Sequence, residues 1–187
     1  MLPRDLFVSP SVRCGDGTVM LDFETDTYFC RYDAQPSREA DTNRIPAEPI
    51  WCEPPDVDAR LAPSDVWLFL RAYAAALTTF PGRSVRRLLI EAVELERVSY
   101  VDAPSPVALA ARFERLSLYL PFRPSCLLRA VALLHYLALQ GHDADWVIGV
   151  QLFPFRAHCW LARDNMLLAE RAHLIEDYVP IYRLRQV

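Results

Sequence analysis

The stretch Arg123-Pro124-Ser125-Cys126, followed by Leu127-Leu128-Arg129-Ala130-Val131-Ala132-Leu133-Leu134-His135-Tyr136-Leu137-Ala138-Leu139, decides how the chain is read. Pro124 keeps the residue before it extended, and Ser125 is a preferred helix N-cap. Cys126 then falls in the first turn of a helix predicted to run to about Gln140 and to stop at Gly141. Leu127, Leu128, Val131, Leu134, Leu137 and Leu139 make that helix apolar nearly all round, which predicts a central, buried position. The unpaired first-turn amides and the positive end of the helix dipole favour a thiolate, the nucleophilic form of cysteine.

Downstream, Asp145–Leu152 reads as a strand broken by Phe153-Pro154-Phe155, and Arg156–Arg163 reads as another. Asp164-Asn165 reads as a turn, with Met166 to Glu170 returning. His158 sits within the second strand. A cysteine opening a buried helix, then a histidine on a strand, is the order used by papain-like and transglutaminase-like enzymes.

The combined pattern is more specific than any of its parts. It consists of Cys126 opening the helix, Gly141 to Ala144, Val147-Ile148-Gly149-Val150, and Pro154-Phe155-Arg156-Ala157-His158-Cys159-Trp160. Over residues 110–182 the chain closely resembles the leader peptidases of lasso-peptide biosynthesis, a transglutaminase-like family of cysteine proteases. It departs from that family at two positions. Glu170 stands where the family mostly has Asp, twelve residues after the histidine, and Ala162 stands where it normally has Glu. The resemblance implies Cys126 as nucleophile, His158 as base and Glu170 as the carboxylate orienting the imidazole. A strict two-residue Asp164-Asn165 hairpin pairs His158 with Arg171 and turns Glu170 to the other face. A type I turn with a bulge at Asn165 brings Glu170 round; Glu176 and Asp177 are the alternatives.

The 187 residues suffice for one ordinary domain or two small ones, and a hydrophobic content of 52% is ample for a packed core. No run has the length of a transmembrane helix, and residues 1–30 lack the layout of a signal peptide. Five cysteines without regular spacing fit reduced thiols, so the expected location is the cytoplasm. Residues 1–80 carry 7 Arg against 13 acidic residues, and residues 81–187 carry 13 against 11; lysine is absent. Neither half has the concentrated basic face of a nucleic-acid binder. No zinc-ligand spacing is present, so neither metal nor cofactor is expected.

The chain is expected to be α+β, with two regions. Residues 1–80 comprise strands within 5–32 (Leu6-Phe7-Val8, Ser11-Val12-Arg13, Thr18–Phe23, Thr27–Tyr32), a Pro-rich loop over 33–63 and a helix over 64–80. Residues 81–187 form the papain/transglutaminase-like peptidase domain. Gly15-Asp16-Gly17 and Glu24-Thr25-Asp26 supply the turns of a small meander. This opening resembles the winged-helix-like precursor-recognition element of ribosomal-peptide maturation systems, in which the leader adds as a strand to the third strand. That resemblance implies leader contacts from Thr27, Tyr28, Phe29 and Arg31, main-chain bonding giving affinity and side-chain pockets giving selection. A structural meander that merely packs on the protease is the plainer reading.

Ile50-Trp51 is an apolar island expected to anchor the loop. Ser64-Asp65 is expected to cap the first helix, with Val66, Trp67, Leu70, Tyr73 and Leu77 inward. Helices follow over about 84–97 (Val85, Leu88, Leu89, Ala92 and Leu95 inward) and 107–119. Arg83, Arg86 and Arg87 read as a solvated basic face. Cys159 is predicted to point away from His158, as a core thiol, and Cys14, Cys30 and Cys52 to be structural. The activity implied is removal of a leader peptide through a Cys126–His158 pair and an acyl-enzyme. The partners implied are the precursor leader and an ATP-dependent, asparagine-synthetase-like cyclase, through which any ATP dependence would be indirect. Nucleic acid and membrane are not expected partners. A transglutaminase-like acyl transferase and a non-enzymatic leader-binding chaperone are the alternatives.

Overall fold

The computed structural model describes residues 8–32, 50–57, 59–97 and 103–185. A three-stranded antiparallel meander comes first: β1 (Ser11–Cys14), β2 (Gly17–Asp22) and β3 (Thr27–Tyr32). Its tight turns use left-handed backbone at Gly15 (φ 55°) and Asp26 (φ 54°), as their compositions predict. The expected strand at Leu6-Phe7-Val8 lies outside the described residues except for Val8, which is exposed and not in a strand. The same holds for residues 33–49 and 58 of the Pro-rich loop. Its described parts are irregular apart from one bridge at Cys52 and Pro63, which already opens the first helix.

Four helices follow: α1 (Pro63–Thr79), α2 (Val85–Glu94), α3 (Pro106–Ser117) and α4 (Cys126–Ala138). Next come β4 (Asp145–Gln151), β5 (Arg156–Arg163), β6 (Met166–Leu168), the short α5 (Ala172–Ile175) and β7 (Val179–Leu184). The second sheet is antiparallel with the order β6-β5-β4-β7. Alternation along its strands separates two faces. Trp146, Ile148, Val150, Cys159 and Leu161 join the main core with α4, while Val147, Trp160 and Leu167 form a smaller cluster with Ile175, Trp51 and Tyr178. The mixed helix-and-strand architecture, a small sheet and then a helical and sheet domain, agrees with the expected α+β class.

α1 departs from its expected orientation and cap. The buried side is Asp65, Phe69, Ala72, Tyr73 and Ala76, whereas Val66, Trp67, Leu70 and Leu77 are exposed. Both sides of this helix are apolar, so periodicity alone does not choose between them. Packing decides: small Ala72 and Ala76 let α1 approach α4, and Phe69 and Tyr73 join Phe113 of α3 at ring-centroid distances of 5.2 and 5.7 Å. Outside, the Arg71 guanidinium covers the Trp67 ring at 4.7 Å. The N-cap is Ala62, not Ser64 or Asp65. Pro63 suits the first helical position, and the buried Asp65 carboxylate accepts from Ala62 N–H at 2.7 Å and from Arg112 at 3.2 Å. α2 buries Leu88, Leu89 and Ala92 as expected, and Arg83 and Arg87 pair with Glu91 on the surface.

The meander is packed onto the second sheet. Val19, Leu21 and Phe23 belong to the main core, the Phe23 ring meets Tyr182 at 5.1 Å, and Tyr28 and Tyr32 meet Phe155 and Phe153 at 5.3 and 5.4 Å. On the other side, Trp51 packs edge-on against Trp160 at 5.6 Å and under Arg183, while Cys52 hydrogen-bonds Asn165 and Leu167. Trp51 is the anchor expected of the apolar island; Ile50 is exposed.

Gly149 pairs with His158 across β4 and β5, where the Trp160 ring lies directly over it. A Cβ at this position would stand 2.6 Å from the Trp160 ring and 3.1 Å from the Tyr178 Cβ. Gly149→Ala is therefore expected to cost about 1–3 kcal/mol, as overpacking of a filled site does. Thermal unfolding should show it as a fall of about 2–4 °C per kcal/mol in a chain of this size.

Candidate active site

α4 begins as its sequence dictates. Ser125 is extended (φ −61°, ψ 157°) and its hydroxyl accepts from Leu128 N–H at 3.2 Å, which makes Cys126 the first helical residue. The helix ends at Ala138, and Gly141 takes the left-handed conformation (φ 79°) as expected. Cys126 is half-buried. His158 lies on the part of β5 that extends beyond β6, whose pairing with β5 covers only Leu161 to Arg163. The first turn of α4 and this open margin of β5 bring Cys126, His158 and Cys159 together.

His158 Nε2 is 3.0 Å from Glu170 Oε2, which leaves Nδ1 for the thiol. The imidazole also rests near Trp160 and Tyr178, at ring distances of 6.1 and 5.6 Å. Glu170 is 8% exposed, and its Oε1 accepts from Arg171 N–H at 3.2 Å. The route by which Glu170 arrives differs from the expected bulge. The Asp164-Asn165 hairpin is strict, both residues having positive φ (51° and 63°) and Arg163 pairing with Met166. β6 stops at Leu168, and Ala169 is left-handed (φ 53°), so the chain turns out of the ladder and carries Glu170 back to the histidine.

The electrostatics support a thiolate–imidazolium pair. The Cys126 thiol is pushed down to about 4, first by hydrogen bonding from Cys159, then by His158 and the Cys159 backbone; burial opposes them. Burial alone would lower His158, but hydrogen bonds to Cys126 and Glu170 and their charges outweigh it and push it up to about 9. Burial would raise Glu170, yet the His158 hydrogen bond and charge, with the Arg171 amide and Arg129, hold it below the ordinary carboxylate range. Cys159 is a core residue, as alternation predicts. Its thiol nevertheless serves Cys126, and that contact, with burial, pushes its own ionisation well up, so Cys159 is the neutral donor and Cys126 the anion.

The residues singled out on β3 lie beside this centre. β3 pairs with β2 along one edge, and among the described residues no strand pairs with its other edge. Phe29 is 52% exposed, and Thr27 and Arg31 are exposed. Tyr28 alone turns inward, its hydroxyl raised to about 12 first by burial and then by the neighbouring anionic site. Sequence reasoning missed four contributors: Cys159 as a donor to Cys126, Arg129, Tyr28 as a neighbour of Cys126, and the Trp51 support behind Trp160. Arg129 alone left a trace, as a charge inside an apolar helix.

Among the described residues no cluster of three His, Cys, Asp or Glu side chains could hold a metal ion, and no helix is long and apolar enough to cross a membrane. Two other histidines lie elsewhere: His142 Nε2 is 2.8 Å from the Pro104 carbonyl oxygen, and burial lowers His135.

The Cys126 thiolate gains a proton below about pH 4, and the His158 imidazolium loses one above about pH 9, so the ion pair fills the window between. Iodoacetamide is expected to alkylate Cys126 readily at pH 6, where an ordinary thiol is roughly one part in several hundred thiolate. Peptide mapping checks this. Cys159→Ala should raise the pH at which Cys126 alkylation begins, because it removes the leading stabiliser of the anion. No curated protein and no solved structure matches the chain. The family model described as the transglutaminase-like superfamily matches residues 67–183, from within α1 to β7 and more than half of the chain. Its members are typically cysteine peptidases or acyltransferases, and it is to this transglutaminase-like superfamily that the chain belongs.

Proposed function

We propose that this protein is a cysteine peptidase that removes the leader from a ribosomally made lasso-peptide precursor in the cytoplasm. The observation that carries the peptidase reading is the contact of a helix-start cysteine held as thiolate with a histidine whose far nitrogen is bonded to a buried carboxylate. The leader-specific part is supported by the sequence pattern around Cys126 and His158, and by the exposed edge strand β3 beside the site. The precursor leader adds along β3, with Thr27, Phe29 and Arg31 outward and Tyr28 towards the nucleophile. Such tethering raises the local concentration of the scissile bond.

In this mechanism the Cys126 thiolate adds to the carbonyl carbon at the leader–core junction. The first-turn N–H of Cys126, which has no helical carbonyl partner, faces the developing oxyanion. The His158 imidazolium gives its proton to the departing amine, releasing the core and leaving the leader as a thioester on Cys126. His158 then takes a proton from water as it attacks the thioester, which frees the leader carboxylate and restores the ion pair. Glu170 holds the ring and favours its protonated form. No step needs a metal or cofactor. The freed α-amine suits a partner enzyme, an ATP-dependent, asparagine-synthetase-like cyclase, that joins it to a carboxylate side chain; any ATP dependence lies there.

Mass spectrometry of a precursor incubated with the wild type should show a leader and a core, and Cys126→Ala should show neither. Amide product formed with an added primary amine would point instead to acyl transfer, and unchanged processing by Cys126→Ala to a non-enzymatic leader-binding role. Glu170→Gln is expected to lower kcat/KM by about 10- to 100-fold through lost orientation of His158. Phe29→Asp should weaken capture of an isolated leader peptide by about tenfold in fluorescence anisotropy, the scale of one lost apolar anchor.

A further inference from the structure

Arg129 lies one turn after Cys126 on α4, where the sequence shows only a break in an apolar run. Its guanidinium reaches the segment after β6. Nη2 donates to the Ala169 carbonyl oxygen at 2.7 Å, and Nη1 stands 3.9 Å from Glu170 Oε2. Ala169 is the left-handed residue that turns Glu170 towards His158. An alanine has neither the freedom of glycine nor the side-chain hydrogen bond of asparagine to favour that conformation, so neighbouring contacts must hold it.

We propose that Arg129 is the positioning residue of this site: its guanidinium ties the Ala169 turn and the Glu170 carboxylate to the helix that carries Cys126. The proposal rests on the reading of Cys126, His158 and Glu170 as the catalytic group. Arg129 touches none of the reacting atoms and acts through Glu170. A planar fork with several donors engages a carbonyl and a carboxylate together, which a single ammonium group does less well. The other groups facing Glu170 are accounted for. His158 Nε2 and Arg171 N–H bond its two oxygens, Cys159 is neutral, and the Arg171 guanidinium is turned to Glu114 of α3 at 3.6 Å. Among the described residues Arg129 is thus the side-chain cation beside this carboxylate other than the histidine itself.

The test is the pH dependence of Cys126 alkylation by iodoacetamide in the full chain, which needs no knowledge of the substrate. Four variants are compared: Arg129→Ala, Arg129→Lys, Glu170→Gln and the double variant Arg129→Ala/Glu170→Gln. Loosening Glu170 weakens its hold on the imidazolium, and a less stable imidazolium stabilises the thiolate less, so the pH at which alkylation begins should move up by about one unit in Arg129→Ala. Arg129→Lys keeps the charge and the stem and should fall between, and it guards against a variant that simply fails to fold. The double variant should match Glu170→Gln within about twofold, because Arg129 acts through that carboxylate. An onset of alkylation unchanged in Arg129→Ala, or additive effects in the double variant, would overturn the proposal while leaving the catalytic reading intact. An ordinary thiol profile in the wild type would overturn the catalytic reading, and this proposal with it.

Discussion

The site depends on the first turn of α4 meeting the margin of β5 that β6 leaves uncovered. Had β6 continued its ladder to His158, the third strand would occupy the place where the thiol sits. The ladder ends at Leu168 because Ala169 is left-handed, and the same residue delivers Glu170. One backbone turn therefore opens the edge of the sheet and supplies the carboxylate. At this helix start the neutral Cys159 thiol and the imidazolium act on one sulfur, and their combined effect exceeds the desolvation that half-burial imposes.

What the sequence disclosed was local chemistry. Pro124 and Ser125 fix the start of α4 through φ restriction and one cap bond, and Gly141 ends it, so the position of Cys126 was legible without tertiary knowledge. Alternation along β5 placed Cys159 in the core. The remainder depended on contacts between distant segments. α1 carries apolar residues on two sides, and only the closeness of α4 selects Ala72 and Ala76 over Leu70 and Leu77. Glu170 was named through the family resemblance, but its route differs from the expected bulge because the turn falls on an alanine, which carries no local signal for positive φ. Cys159 as a hydrogen-bond donor escaped because pattern gives the face of a strand, not what lies across its edge.

The meander bears on the site through ring contacts. Tyr28 and Tyr32 rest on Phe155 and Phe153, the residues of the β4–β5 turn that leads into the strand of His158. A load on β3 is thus applied close to the strand of His158, and Tyr28 lies within electrostatic reach of both cysteines of the site. The core confirms the intimacy, since Val19, Leu21 and Phe23 share it with α4 and β4.

The strap at Trp51 and Cys52 has a consequence for how the chain matures. Behind His158 stands Trp160, and against Trp160 stands Trp51, more than a hundred residues earlier in the chain. The ring nitrogens are engaged by Cys126 and by Glu170. No contiguous stretch contains these supports, so the reactive sulfur belongs to the finished topology, and long-range closures of this kind form late. Until β5 has docked on α4 and the strap has closed over β6, the chain carries five unremarkable thiols. A nascent or partly unfolded copy thereby has only ordinary thiols, and the activated sulfur and the native structure arise together.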